Sequence, residues 1–474
     1  VRVAACVAVL ALVLAGCTTQ RVAEPPVDLA GDLADEVTVD GMYTHLERLT
    51  DVANAHDGSR ADGTPGYDAS IDYVAGVLRD NGFDVQTSKF ERMVLASPGK
   101  PTLTVGGRGH PVDQASLLTQ TPRGGLSAQT VRPRRPAGCT AADYGTATVR
   151  GALVVVDDTG CSVVDKQKTA TTAGAVGVLV VSDSGRPGLF TPGYYQQLQA
   201  PVAVIGRDVD AQIRRTSAPV RLVLDARAAT VTSRNVLAQT KTGDAGRVIM
   251  AGARLDSGPD SPGINDDGSG VAALLETAAR LGSSPGVANA VRFAFWGAGA
   301  AGQEGSSKYV AGLGVEGVRD VALYLNVEPI GSVNAGYFTY DGDQSGQPNP
   351  QVPAASVPGG SAGIERTLAG YLNLAGKRPA DQPLGRSGDY APFMAAGVPI
   401  GGLTTGTTGR KTEVQARLWG GQAGRPFDPN TRTARDTIVN VDRDTLGITG
   451  PAVAFAIGTY AQSVEGPNGL PPRN

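Results

Sequence analysis

The chain has 474 residues, of which 41% are hydrophobic and 18% charged, with a formal net charge of −3. That length holds two or three domains and a large core, and the charge balance excludes the strong positive field that a nucleic-acid partner needs. The 64 glycines follow no fixed repeat, which excludes a fibre and points to many tight turns.

Residues 3–15 form an unbroken apolar run after Arg2. The run is shorter than the roughly 20 residues that span a bilayer. It ends in Leu-Ala-Gly-Cys, residues 14–17, and so resembles a bacterial lipoprotein signal peptide. The resemblance implies cleavage before Cys17 and lipidation of Cys17. The chain would then be exported and held on the outer face of the cell membrane or envelope by its lipid alone. An ordinary secretory signal with an incidental cysteine is the alternative. Residues 18–39 read as a polar tether. Cysteine use agrees with export: Cys6 leaves with the signal, Cys17 carries lipid, and Cys139 and Cys161 remain as a pair. We expect that pair to be bridged, which stabilises by about 3 kcal/mol through loop closure. Two free buried thiols are the alternative.

Residues 40–53 and 66–82 read as amphipathic helices. In the second, Ile71, Val74, Val77 and Leu78 recur at helical spacing and Gly82 suits a C-cap. The stretch DVQTSKFERMVL then reads as a strand. From about 126 to 228 the texture changes. GALVVVDD and AVGVLVVSDS read as short buried strands around a helix-like VVDKQKTATTAG. From about 230 onward strands and helices alternate: RVIMAGARL, AVRFAFWG and DVALYLNVEPIG as strands, GVAALLETAARLG and GQEGSSKYVAGL as helices. This is the pattern of an α/β layered sheet. Chemistry in such sheets sits at the carboxyl ends of the strands, so the loops starting near Arg254, Gly297 and Glu328 are the candidates. Residues 463–474 read as a disordered tail.

The run GCTAADYGTATVRGALVVVDDTGCSVVDKQKTATTAGAVGVLVVSD resembles a protease-associated domain, a non-catalytic insert, and the cysteine pair falls where such domains often carry a bridge. GARLDSGPDSPGINDDGSGVAALLE, VRFAFWGAGAAGQEGS, LNVEPIGSVN, GRSGDYAPFMAAGVPIGGL and FDPNTRTARDT follow one another in the order found in bacterial di-zinc aminopeptidases. Several long motifs in series are far more specific than one. The resemblance implies a mixed α/β sheet with helices on both faces, interrupted by a small β-rich protease-associated domain. It divides the chain into a signal (1–17), a tether (18–39), a first aminopeptidase-like part (40–125), the insert (126–228), a second part (229–462) and the tail.

The family's chemistry uses two zinc ions that share a carboxylate and activate a water for attack on a peptide carbonyl, with a glutamate as base. Carried over by position, the ligands fall on Arg254, Asp266, Ala300, Glu328 and Arg432, and the base falls on Gly299. Only Asp266 and Glu328 could ligate; a guanidinium offers donors alone. The cysteines that clip the last histidine in many relatives fall on Asn430 and Arg435. The three histidines, His45, His56 and His110, all precede the motif region.

Two arginines against Asp256, Asp266 and Glu328 leave one net negative charge, as two zinc ions against five carboxylates would. We therefore expect a partly buried cluster of Arg254, Asp256, Asp266, Glu328 and Arg432 in which guanidiniums replace metals. Plainer readings stand beside it. Asp266 and Asp267 could simply start a helix, and Glu328 could be a strand-end carboxylate. Ser269 and Ser387 have no histidine nearby in sequence to activate them. His45 packs or faces water, Trp296 and Trp419 anchor core or loop, and residues 256–267 could hold calcium weakly through oxygens.

The expected function is an exported lipoprotein with an inactive aminopeptidase-like fold. It would bind a peptide chain end or a protein partner, as the transferrin-receptor-like relatives of the family do. No cofactor is expected. A carboxylate end should be preferred over an amine. An active metallo-aminopeptidase with atypical ligands and zinc, and a structural envelope protein, are the alternatives.

Overall fold

A computed structural model describes residues 28–182, 197–300, 302–347, 349–350 and 352–471. The signal segment and Cys17 lie outside the described residues.

Helices α1 (Leu29–Glu36), α2 (Val39–Ala55) and α3 (Pro65–Asp80) lead into β1 (Asp84–Ser97). Thr38 and Thr64 cap α2 and α3 with their hydroxyls. The small strands β2 (Thr102–Val105), β3 (Arg108–Pro111), β4 (Asp113–Gln114), β5 (Leu126–Ala128) and β6 (Thr130–Val131) follow. After α4 (Ala141–Tyr144) come β7 (Leu153–Asp157), α5 (Val163–Thr172), β8 (Gly177–Val181), β9 (Val202–Ile205), α6 (Arg207–Ile213) and β10 (Val220–Val223). The chain returns on β11 (Arg227–Gln239) and runs through β12 (Asp244–Arg254), α7 (Gly268–Leu281), β13 (Asn289–Trp296), α8 (Glu304–Asp320) and β14 (Val321–Val327). Then come β15 (Phe338–Tyr340), α9 (Ser361–Leu374), β16 (Ala380–Gln382), α10 (Ala391–Ala395), β17 (Ile400–Thr404), α11 (Glu413–Trp419) and α12 (Arg443–Gln462).

The main sheet has eight strands in the order β1-β11-β13-β12-β14-β17-β15-β16. Its centre, β13-β12-β14-β17, is parallel. A parallel strand covered on both faces reads as a continuous apolar run, and β14, VALYLNV, is buried throughout. One face carries α2, α3, α7 and α12 over a core that includes Leu46, Ile71, Leu274 and Ile457. The other packs Trp296, Tyr324 and Phe393, with the Tyr324 and Phe393 rings stacked at 4.0 Å. This is the mixed α/β sheet with helices on both faces that the motifs implied.

The insert is larger than its sequence texture suggests. β1 and β11 pair antiparallel from Asp84–Gln239 to Ser97–Arg227, a ribbon on which the chain leaves and re-enters the sheet. Everything between belongs to the insert, so residues 98–125 move there from the first aminopeptidase-like part. β2 pairs with its neighbour β3 in a hairpin and with the distant β10, and β4 pairs with the distant β9. The β10 and β9 partners lie far along the chain, so no local period announces them. The insert holds a four-stranded sheet, β3-β2-β10-β5, and a five-stranded sheet, β4-β9-β8-β7-β6. Cys139 and Cys161 are bridged, as expected.

Two other boundaries shift. The supposed tether is structured from Asp28: Asp28 caps α1, and Ala30, Leu33 and Ala34 are buried. Gly458 of α12 lets the Ala30 backbone approach closely. The Leu29, Ala30, Leu33, Ala34, Val37 spacing is helical and carried this signal. The tail is also held through residue 471. Tyr460 Oη donates to the Asn468 carbonyl at 2.9 Å, and Leu470 N–H donates to Val464 O at 2.7 Å.

Candidate functional site

The parallel strands β12, β13 and β14 end together, with Arg254 opposite Trp296 in register. The loops that follow bound a cleft of about 590 Å³ whose walls include Arg254, Asp266, Glu328, Asp389, Tyr390 and Arg432.

At its floor Arg254 and Asp266 are paired. Arg254 Nη2 donates to Asp266 Oδ1 in a buried contact, and Arg254 Nη1 donates to the Asp256 carbonyl at 2.9 Å. Asp266 Oδ2 accepts from Thr431 Oγ1 at 2.6 Å. The Arg254 backbone N–H donates to Asp267 Oδ2 at 2.9 Å. Burial pulls the Arg254 pKa down, but Asp266, Asp256 and Asp267 outweigh it, and the guanidinium is held more firmly protonated than usual.

The expected five-membered cluster forms only in part. Arg432 Nε lies 3.7 Å from Asp266 Oδ2, but its side chain is 70% exposed, so it sits at the rim rather than in a buried cluster. Among the described residues, Asp256 meets no guanidinium through its carboxylate. Its oxygens accept from the Gly299 and Ala300 N–H groups at 2.8 and 3.2 Å, and this clamps the loop after β13. Glu328 also stands apart from the arginines and accepts from Asn326 Nδ2 at 3.1 Å. The sequence count overlooked that a side chain can spend its charge on backbone amides or a neighbouring amide.

Gly299 and Arg254 share one volume. A Cβ on Gly299 would lie closer than 3.0 Å to Arg254 Cδ and Cγ, a separation that Cβ atoms essentially never show. The stem of Arg254 therefore fills the space a glutamate at 299 would need.

Five acidic groups cluster here, not three: Asp267 and Asp389 join those expected. Burial pushes the Asp256 carboxyl up to about 6 and Asp389 up to about 7, against the donated bond from Ser306 to Asp389. Burial likewise raises Glu328, and it lifts Asp267 well above the carboxylate range. Desolvation thus moves these acids toward their neutral forms. Asp389 lies within the motif GRSGDYAPF, and its position among glycines and a tyrosine is the sequence signal for it.

The site is braced without cysteines. Asp436 accepts from the N–H groups of Asn265 and Asp266 at 2.9 and 3.1 Å. Asn440 Nδ2 bridges Asp428 and Asp436, and Asn430 Nδ2 donates to Asn440 Oδ1 at 2.8 Å. Arg60, fully buried, donates to the Leu255, Pro262 and Gly263 carbonyls and fixes the loop after β12. Periodicity gave no hint of Arg60, whose partners lie 195 to 203 residues along the chain.

The plainer readings also resolve. Asp267 occupies the N-cap of α7 but makes no side-chain capping bond there, so helix initiation does not explain it. Ser269 Oγ donates to Asn265 O at 2.7 Å. His45 contacts Tyr73 and Glu276, His56 contacts the Val52 carbonyl, and His110 lies on β3, all away from the cleft. Trp296 is core and Trp419 Nε1 ties to the Arg378 carbonyl. Among the described residues, the carboxylates grouped closely enough for a cation are Asp341, Asp343 and Glu365 rather than 256–267.

Two zinc ions sharing Asp266 would need both of its oxygens. One is taken by a guanidinium and the other by a hydroxyl, while Arg254 and Arg432 offer no lone pair and Ala300 no ligand. The donor set does not fit the metal pair.

Family models place this geometry. A Peptidase family M28 model matches residues 235–457, and a PA domain model matches residues 126–213. The chain is 44% identical to the probable lipoprotein aminopeptidase LpqL of Mycobacterium tuberculosis, over 98% of this chain and 94% of the relative. It is 36% identical to an aminopeptidase of Pseudomonas aeruginosa, over 90% of this chain and 81% of that one. The aminopeptidase from Aneurinibacillus sp. strain AM-1 shares the fold, with a TM-score of 0.65 at 21% identity over 94% of this chain and 98% of that one. A sheet closed by helices on both faces, an inserted β-rich unit and these relatives lead to one assignment: the chain belongs to peptidase family M28, with an inserted PA domain.

Proposed function

We propose that this M28-family chain is an exported, lipid-anchored binding protein whose cleft engages peptide chain ends without hydrolysing them. The observation that carries the reading is the Arg254–Asp266 pair beside Gly299. A cation fixed by the chain stands where the family's chemistry needs an exchangeable metal and a base. Export through Cys17 is supported by the likeness to a lipoprotein aminopeptidase.

The cleft then works by positioning alone. Arg432, exposed at the rim, is the guanidinium with donors to offer a ligand carboxylate. Tyr390 and Ser387 also line the cleft. The buried acids shift toward neutrality, which lowers the repulsion a carboxylate end would meet. Fluorescence titration with matched peptides, one set ending in a free carboxylate and one in an amide, tests this. The reading expects tighter binding of the free acid and no release of N-terminal residues. Tighter binding of peptides offering only a free amine would contradict the preference.

One observation favours a second reading. The relatives carry aminopeptidase names, so hydrolysis through atypical ligands would keep the family's activity. Hydrolysis of aminoacyl chromogenic substrates, abolished by chelator, would establish that reading. A peptide screen without binders would leave a structural envelope role.

A further inference from the structure

The insert carries a second chemical centre at its disulfide, remote in sequence from the cleft motifs. The Cys139–Cys161 bridge is asymmetric. Cys139 Sγ receives the Cys161 backbone N–H at 3.1 Å and faces Lys166 Nζ at 3.8 Å. Among the described residues no donor reaches Cys161 Sγ. Lys166 is fully buried, yet its ammonium meets no carboxylate within ion-pair distance among the described residues. It instead donates to the Ala137 and Thr159 carbonyls, both at 2.6 Å. These carbonyls belong to the two loops that carry the cysteines. With the bridge closed, these two bonds hold the lysine over Cys139. Thr159 and Gly160 next to Cys161 are exposed.

A thiolate is stabilised by a nearby cation and by N–H donors, and a stabilised thiolate leaves a disulfide faster. We propose that Cys139 is the leaving sulfur and Cys161 the attacked sulfur of this bridge, so that an external dithiol opens it in one direction. In the first step the partner's thiolate attacks Cys161 Sγ. A new S–S bond forms there, the Cys139–Cys161 bond breaks, and its electron pair stays on Cys139 Sγ beside Lys166. The partner's second thiolate then displaces Cys161. The partner leaves as a disulfide, oxidised by two electrons, and the insert holds two reduced cysteines. Burial pulls the Lys166 pKa below the ordinary lysine value, and the charges of Asp157, Asp158, Asp143 and Asp165 act against it.

The test uses glutathione as a monothiol probe on the purified full chain, with an early acid quench, alkylation and peptide mapping. The expected result is glutathione on Cys161 and the alkyl label on Cys139, with a preference of roughly tenfold. Equal labelling, glutathione on Cys139, or a folded bridge that forms no mixed disulfide would overturn the proposal. Lys166→Met should bring the ratio toward parity while Lys166→Arg keeps it; an unchanged ratio in Lys166→Met would remove Lys166 from the account. Should Lys166→Met fail to fold, the wild-type mapping still decides the direction. Titration of thiolate absorbance in Cys161→Ser then tests the Cys139 environment: the expected midpoint is below that of a free cysteine, and an ordinary or raised midpoint overturns the proposal.

Discussion

Substituting Gly299 by alanine probes the shared volume at the heart of the site. The added Cβ would lie under 3.0 Å from Arg254 Cδ and Cγ and 3.3 Å from Arg254 Cβ. Those atoms are mid-stem, and the guanidinium beyond them is pinned to Asp266 and to the Asp256 carbonyl. The stem cannot swing aside without breaking the pair. Overpacking a tight core costs about 1–3 kcal/mol, and breaking a buried ion pair about 3–5 kcal/mol. Relaxation will take the cheaper route, so Gly299→Ala should lower the unfolding free energy by about 2–3 kcal/mol. The backbone at 299 is not in the left-handed region, so alanine adds no backbone strain there, and the smaller unfolded-state entropy offsets the clash by only about 0.4–1 kcal/mol. Arg254→Ala leaves Asp266 without its guanidinium and should cost about 3–5 kcal/mol. In the double variant the clash has no target, and the combined cost should fall short of the sum by about 1–3 kcal/mol. Urea unfolding of the four proteins measures this cycle. A Gly299→Ala protein as stable as wild type, or strictly additive costs, would refute the shared-volume argument.

Arg432→His should change stability by less than about 1 kcal/mol, because an exposed side chain at 3.7 Å from its partner contributes little; a larger loss in thermal melting would return Arg432 to a buried cluster. Asp256, Asp389 and Asp436 have folded pKa values of about 6, 7 and 6, above the ordinary carboxylate value because burial penalises the charge. The folded state therefore binds more protons than the unfolded chain between roughly pH 4 and pH 7. Their contribution is full below the unfolded pKa and is lost as pH rises through the folded values. Melting temperature should fall from about pH 5 to about pH 8, and Asp389→Asn should flatten that slope; a slope unchanged by Asp389→Asn would contradict the assignment. Replacing both Cys139 and Cys161 by alanine opens a loop with sequence separation 22 and should destabilise by about 3 kcal/mol, read as a lower melting temperature.

The fold was legible where the signal was local. Apolar period located α3 and α7, with Gly82 marking the end of α3, and the run DVALYLNV was legible as a strand. The insert's first strands were not, because β2 and β4 find partners about one hundred residues away. In the site, Arg254 pairs with Asp266, and Arg432 lies at the rim beside it. Sequence alone could not say that Arg432 would point outward, or that Asp256 would spend its carboxylate on two backbone amides. It also could not supply Thr431 or Arg60, whose roles exist only once distant loops meet. Charge counting treats residues as interchangeable points, whereas burial and hydrogen-bond geometry decide which of them pair.

The most direct test is zinc stoichiometry on the purified protein after dialysis, by elemental mass spectrometry, with aminoacyl chromogenic substrate assayed on the same sample. The account predicts well under one zinc per chain and no turnover. Two tightly held zinc ions per chain, with turnover abolished by chelator, would contradict it.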